Sequence, residues 1–311
     1  MQVPGSVFTS QVSRAVASDV EEMLPQLWGL VHPSSKRVPC NHPCSLMRAD
    51  VPKLSAHKYW VGPKTDGVRT FLLLSFTGDE DYAVFVDRAN NMQRCRLTAR
   101  MDVYSGTLLD GELVTHADGT TTYLVFDAIA VNGYSMTRKL QSERMAEVVR
   151  TVSSLSVQDP ALSVKVKRWF SLNEVDLHEV AASAGITPTD GFIFVPEYGQ
   201  PLRPGQQHDH FKWKPASHHT IDMLWREARM WVEKAGVPEP ASTLGITQVD
   251  LGDVDLSEGT VVECAMTRVN PTEWSAKCVR VRPDKLHPND ARVARLTLQN
   301  VDENILLEEL Q

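Results

Sequence analysis

The sequence predicts an α+β protein of two domains, a larger one built on mixed or antiparallel sheets with helices and a smaller β-barrel after it. Three observations predict this. The chain has 311 residues, more than a single domain usually holds, and its 42% hydrophobic content can fill two cores. From Tyr59 to Val131, short apolar stretches (WVGPK, TFLLLSF, YAVFVDR, GTLLDGELV, TTYLVFDAIAV) are broken by Gly, Asp and Asn, the pattern of successive strands. Beyond Met223, GTVVECAM and SAKCVRVRP are again β-rich, as a small barrel requires.

The remaining elements follow in chain order. A helical stretch spans Val16 to Leu30, and a loop rich in Pro and Cys comes next. MTRKLQSERMAEVVRTVSSL reads as an amphipathic helix beginning near Thr137, and SLNEVDLHEVAASAG as a second one ending at Gly185. DGFIFVP and HFKWKP return as strands. Between Met223 and Asp250 the signals compete, because REARMWVEKAG has helical composition inside β-rich flanks. A terminal helix is expected in NDARVARLTLQNVDENILLEELQ, with Ile305, Leu306 and Leu310 on one side. The expected organisation is a first domain over 1–222, a barrel over 223–300, and the terminal helix, 301–311, packing back on the first domain.

Composition narrows the function. With 32 Lys and Arg against 39 Asp and Glu the chain is net acidic, so nonspecific coating of nucleic acid is excluded and any such contact must be a local groove. No run approaches the roughly 18 apolar residues of a membrane span, and MQVPGSVFTSQVSR lacks a signal-peptide core. A soluble intracellular protein with no membrane partner is therefore expected. Five scattered cysteines suit a reducing compartment better than a disulfide framework. PCNHPC offers Cys40, His42 and Cys44, but no second CxxC or HxxxH pair completes a four-ligand zinc site, and a proline-rich loop is the expectation.

Chemistry is concentrated in six segments: KTDGVR (Lys64 to Arg69), LDGELV (Leu109 to Val114), VFDAIAVNG (Val125 to Gly133), TDGFIFVP (Thr189 to Pro196), FKWKP (Phe211 to Pro215) and RPDK (Arg282 to Lys285). A lysine attacks phosphorus only as the neutral amine, which a solvated ammonium near pKa 10.4 seldom is. Neighbouring cations lower that value, and Arg69, Lys212 and Lys214 would supply them if their strands converge. Gly67 permits a tight turn, and Asp66 can orient its neighbours. An isolated DG pair is ordinarily a hairpin turn, as is expected at Asp118-Gly119.

In order and wording the six segments resemble the covalent nucleotidyltransferases, and among them the GTP:RNA guanylyltransferases that cap messenger RNA in viruses and fungi. The resemblance runs from about Lys58 to the C-terminus. It implies an ATP-grasp-like nucleotidyltransferase domain of antiparallel or mixed sheets followed by an OB-fold barrel. It implies a ping-pong reaction in which Lys64 takes GMP from GTP and passes it to the 5′-diphosphate end of RNA. Mg²⁺ or Mn²⁺ is the implied cofactor, held by Glu112 and Asp190. Phe126 would stack on the purine, Arg88 would contact ribose or phosphate, and Thr65 and Lys167 would donate to guanine O6, with Lys165 an equal alternative to Lys167. Lys212 and Lys214 would join Arg69 at the phosphates. Arg282, Asp284 and Lys285 would approach the β and γ phosphates when the barrel closes.

ATP-dependent ligases usually carry a glutamate two positions before the nucleophile, where this chain has Gly62. An ATP-dependent DNA or RNA ligase and a non-catalytic nucleotide-binding scaffold are the alternative functions. RNA triphosphatase, methyltransferase or RNA polymerase are implied as separate partners, with residues 1–50 available to dock one. The implied location is the nucleus for a cellular enzyme, or the cytoplasm or virion for a viral one.

Overall fold

Strand Val68–Thr77 organises the larger unit. The residues from Thr70 to Ser75 are all buried, so this strand is covered on both faces. Leu72 and Leu74 pack with Phe85, Tyr123 and Val125, while Phe71 and Leu73 pack with Val84 and Val86. That division is the period-two alternation of a pleated strand. Helix Gln141–Ser153 contributes Val148 to the first cluster, and helix Arg14–Leu27 contributes Val16, Val20 and Leu24 to the second. The computed structural model describes residues 12–30, 38–78, 80–185, 187–254 and 256–310.

Val68–Thr77 belongs to a seven-stranded sheet ordered Leu162–Val166, Thr121–Val131, Thr107–Thr115, Val68–Thr77, Glu80–Asp87, Met92–Arg94, with Tyr134–Ser135 paired beside Thr121–Val131. Its pairings are antiparallel except Leu162–Val166, which runs parallel to Thr121–Val131, so the sheet is mixed. A second sheet is ordered Asn41–Ser45, Gly205–Trp213, Thr189–Pro196, Tyr59–Thr65, Phe170–Ser171. PCNHPC thus contributes a sheet strand rather than a loop. Contacts group the described residues up to Cys44 with Leu54–Lys212 in this unit, and Ser45–Lys53 with Trp213–Leu310 in the other.

Helix boundaries shift for local reasons. The helix expected from Thr137 begins at Gln141, where the Glu143 carboxylate accepts from Leu140 N–H (2.9 Å) and Glu197 accepts from Ser142 N–H (3.0 Å). The long helix expected before Gly185 is a 3-10 turn, Leu172–Glu174, and a short helix, Leu177–Ala182. Asp176 separates them, because its carboxylate accepts from His178 N–H (2.7 Å) and caps the second piece instead of continuing the first.

In the second unit, six strands are ordered Val237–Pro240, Arg229–Lys234, Thr220–Arg226, Val261–Asn270, Glu273–Val281, Ile246–Asp250. Only the last pair is parallel. The path is open, and no pairing among the described residues closes it into the expected barrel. REARMWVEKAG forms strand, not helix. Glu227 and Ala228, at φ +53° and +55°, make a two-residue hairpin turn, which lets Ile221, Met223, Met230 and Val232 enter one core. Burial on a pleated face overrides helical propensity here.

Helix Ala291–Glu303 buries Ala291, Ala294 and Leu298 in that same core, and the turn Leu307–Leu310 also groups with the second unit. The terminal segment expected to pack on the first domain therefore lies with the second; Gln311 is outside the described residues. So are 1–11 and 31–37 of the segment expected to dock a partner. No helix among the described residues is long and apolar enough to cross a membrane.

Candidate active site

Lys64 stands at the end of strand Tyr59–Thr65, and a β-bulge gives it a partner. Thr189 pairs with Thr65 and Phe192 with Pro63, so Asp190 and Gly191 together oppose the single residue Lys64. The extra residue brings the Asp190 carboxylate to the amine, with Nζ donating to Oδ1 at 2.7 Å. Lys64 was expected among cations; the structure instead gives it an anion. On the turn that follows, a Cβ at Gly67 would meet the Leu113 carbonyl at 2.6 Å, so only glycine fits there.

Arg69 was expected to act on Lys64 through its field, but its donors are committed elsewhere. Nε and Nη2 grip Asp110 (3.0 and 2.5 Å), while Nη1 and Nη2 donate to the backbone carbonyl and side-chain oxygen of Asn41 (both 2.5 Å). Burial opposes the charge, but Asp110 outweighs it and holds the guanidinium above its ordinary pKa. Arg69 ties strand Asn41–Ser45 to the seven-stranded sheet. Its charge is balanced by the buried Asp110 carboxylate.

A second bulge sets the aromatic wall. Asp110 pairs with Asp127 and Gly111 with Val125, which leaves Phe126 as the unmatched residue. Phe126 is half-buried and lies under Arg69 (5.4 Å) and Lys167 (5.7 Å). The backbone N–H of Lys167 donates to Val125 O (2.8 Å), which extends the parallel pairing beyond Val166. Trp169 follows, with Nε1 donating to Phe126 O (3.3 Å) and its ring 5.6 Å from the Lys167 amine. A Cβ at Gly62 would stand 3.0 Å from the Trp169 ring, so the absence of a side chain at 62 is what seats the indole.

Lys64, Thr65, Arg69, Glu112, Phe126, Lys167, Trp169, Ile193 and Val195 line one cavity, joined by Asn41, Pro43, Asp127, Gln141 and His210. Burial pushes the Glu112 carboxyl up, against the pull of Lys167, Lys64 and Arg69. Burial also pushes Lys167 down to about 8, with Lys64 lowering it further and Glu112 opposing. The two lysines of VKVKRW, Lys165 and Lys167, are placed differently. Lys167 lines this cavity, whereas Lys165 lines a neighbouring polar one that meets the first at Thr65 and Lys167.

Arg88 and Lys212 lie beside His42. Burial first, then the charges of Arg88, Arg69 and Lys212, push that imidazole down to about 4. Lys214 belongs to the second unit, as do Arg282, Asp284 and Lys285. There Arg282 pairs with Asp284 (2.8 Å), Asp222 (3.1 Å) and Glu263 (3.5 Å), and Lys285 pairs with Asp222. Asp222 is the shared acceptor.

Eight wall residues were absent from the site residues named from the sequence: Asp127, Ile193 and Val195 lay inside two of the six segments, and the other five lay outside all of them. Asn41 and Pro43 had a visible signal in PCNHPC, and Trp169 had one in VKRWF. Gln141 and His210 had none.

A family model described as "mRNA capping enzyme, catalytic domain" matches residues 2–216. The chain belongs to the mRNA capping enzyme family. Its members are nucleotidyltransferases. Among relatives of this family, the mRNA-capping enzyme subunit alpha of Saccharomyces cerevisiae is 25% identical over 392 residues, spanning 100% of this chain and 84% of that protein. The mRNA-capping enzyme of Danio rerio is 26% identical over 307 residues, spanning 88% of this chain and 49% of that protein. A solved structure of mycobacterial DNA ligase D complexed with ATP and MES aligns at 13% identity with a TM-score of 0.45, covering 79% of this chain and 95% of that one.

Proposed function

We propose that this chain is a GTP:RNA guanylyltransferase that forms a lysyl-GMP intermediate on Lys64. The observation that carries the reading is the placement of Lys64 on the wall of a cavity that also holds an apolar slot, formed by Phe126, Trp169, Ile193 and Val195. A planar base fits such a slot, and its phosphates then face the lysine.

In the first step the Lys64 nitrogen bonds to the α-phosphorus and the bond to the β-phosphate oxygen breaks, that oxygen keeping the electron pair as pyrophosphate leaves. Asp190 directs the amine beforehand, and its 2.7 Å contact must loosen as the amine gives up its proton. In the second step a terminal oxygen of diphosphate-ended RNA attacks the same phosphorus. Lys64 departs with the N–P electron pair and regains a proton. Thr65 and Lys167 donate to guanine O6 in this scheme.

The donor set fits a divalent cation shared with substrate. Among the described residues no three His, Cys, Asp or Glu side chains form a protein-only cage. Magnesium is commonly bound by one or two carboxylates together with substrate phosphates, and Glu112 and Asp190 would supply the carboxylates. When bound, such an ion neutralises charge on the phosphoryl oxygens.

The six-stranded unit is read as the OB-type module, a reading supported by its size and its largely antiparallel strand order. RNA triphosphatase and methyltransferase activities are assigned to other chains or to segments outside this sequence. Incubation with labelled GTP or ATP and a divalent metal tests the reading. Acid-labile protein label from GTP is expected; label from ATP alone, or none, would overturn it.

A further inference from the structure

Gln141 stands on the cavity wall, yet no motif and no step of the reaction uses it. It is 1% exposed and opens helix Gln141–Ser153. Its Oε1 accepts from Arg144 Nη2. That guanidinium is itself fixed, with Nε donating to Asp127 Oδ1 (2.7 Å), Nη2 to Asp127 Oδ2 (3.0 Å) and Nη1 to the Lys139 carbonyl (2.8 Å).

A guanidinium only donates, so the Gln141 amide cannot turn round without setting its NH₂ against the N–H groups of Arg144. The carbonyl end is therefore committed to Arg144, and the NH₂ end is the one left for another partner. Nε2 is buried and has no hydrogen-bond partner among the described residues. A buried donor in that state is costly, and a ligand that brings an acceptor relieves it.

We propose that Gln141 is a specificity-determining residue whose Nε2 donates to the O6 carbonyl of guanine. The inference rests on the guanylyltransfer reading for its ligand. Guanine presents an acceptor at position 6, where adenine presents an amino donor. A free glutamine satisfies either by flipping its amide; Gln141, held by the Asp127–Arg144 pair, satisfies only the acceptor. Discrimination is set by the orientation of the amide; O6 has two lone pairs, so Gln141 takes the place of one of the two donors, Thr65 or Lys167, named above. Arg144 and Asp127 are positioning residues in this scheme.

Calorimetric binding to the full chain tests it without requiring transfer, with GMP, the 5′-monophosphate of 2,6-diaminopurine riboside, and 7-deaza-GMP as probes. The diamino compound exchanges O6 for an amino group and with it turns N1 from donor to acceptor, so the effect of the Gln141 variants on the ratio is what isolates position 6; 7-deaza-GMP loses only N7. Gln141→Glu keeps one oxygen for Arg144 and places a second where Nε2 stood; Gln141→Met removes both polar ends. The wild type is expected to prefer GMP over the diamino compound by about tenfold or more. Gln141→Glu is expected to cut that ratio by roughly tenfold or invert it, and Gln141→Met to lower it, with the 7-deaza ratio unchanged in both. A wild type indifferent to the exchange at position 6 would overturn the proposal. So would an unchanged GMP-to-diamino ratio in whichever variant keeps the wild-type melting temperature, or a loss confined to the 7-deaza arm. Failure of the wild type to form an adduct from GTP would strike the reaction scheme and leave the binding result standing.

Discussion

Lys167 in the Lys64 cavity and the two cations of the Arg282 cluster are held differently. In the cavity, Lys167 is buried between the rings of Phe126 and Trp169, with no carboxylate within ion-pair distance among the described residues. In the cluster, Arg282 and Lys285 share Asp222, and Arg282 also meets Asp284 and Glu263. An under-paired buried cation is held at a cost that an anionic or carbonyl ligand can relieve. A fully paired one gains a ligand only by giving up a partner. The same residue type is thus primed in one region and at rest in the other.

The largest expected effect breaks the cavity side of the comparison. Lys64→Arg keeps a cation but cannot supply a neutral amine, and Lys64→Ala removes the nucleophile. Neither variant is expected to form an acid-labile GMP adduct, so an adduct of normal yield in either would take Lys64 out of its role. Next comes the clamp at the cavity wall. Arg69→Met leaves Asp110 buried without its partner, and a loss of about 3–5 kcal/mol in urea unfolding is expected. A loss under about 1 kcal/mol would mean that the clamp is not what fixes the wall.

The cluster should respond in the opposite way. Arg282→Ala and Lys285→Ala remove half-exposed ends of a network that keeps other pairs, so unfolding should change by no more than about 1 kcal/mol. Adduct formation from GTP should nevertheless fail, while adduct isolated from a small active fraction should transfer GMP to diphosphate-ended RNA at nearly the wild-type rate. A transfer defect in single-turnover measurements as large as the first-step defect would contradict a role confined to pyrophosphate release.

A finer test uses pH. Lys167 titrates at about 8 in the folded protein against an ordinary 10.5, so between those values the unfolded chain binds the extra proton. Stability attributable to this group therefore rises with pH through that window, and the penalty is fully present below 8. The gap corresponds to roughly 3 kcal/mol. Unfolding curves of wild type and Lys167→Met, compared at pH 7 and pH 10, should converge or cross in the direction that favours wild type at the higher pH; a difference independent of pH would refute the assignment. The smallest effect belongs to Asp118→Ala at an exposed turn, where adduct yield should match wild type and stability should move by about 0.5 kcal/mol or less.

The sequence made the site's chemistry legible through residues that cannot be exchanged. A neutral amine needs Lys64, and contact at the Leu113 carbonyl needs Gly67, so KTDGVR carries its meaning in residue identity. It also located the strands of the first sheet, because short apolar runs such as Phe71 to Leu74 are set off by polar residues and turns. Direction of approach was not legible. Asp190 meets Lys64 and Phe126 enters the cavity through two bulges, each created by one unmatched residue, and no local pattern in TDGF or VFDA records that mismatch. The commitment of Arg69 to Asp110 and Asn41 was hidden as well, since it joins residues 41 and 28 positions away. The hairpin at Glu227-Ala228 was missed because tertiary burial decided against the helical composition around it.

The order of strands in the Lys64 sheet also has a meaning for synthesis. Its sequence Asn41–Ser45, Gly205–Trp213, Thr189–Pro196, Tyr59–Thr65 places the first strand made against the last one made. The entropy of closing such long loops must be met before the pairings return any stability. While a ribosome is still adding residues before Thr189, Lys64 has neither Asp190 nor the wall of Ile193 and Val195. Nascent chains stalled there are expected to stay unlabelled by nucleotide, and labelling should begin only in chains long enough to free Lys285 from the exit tunnel.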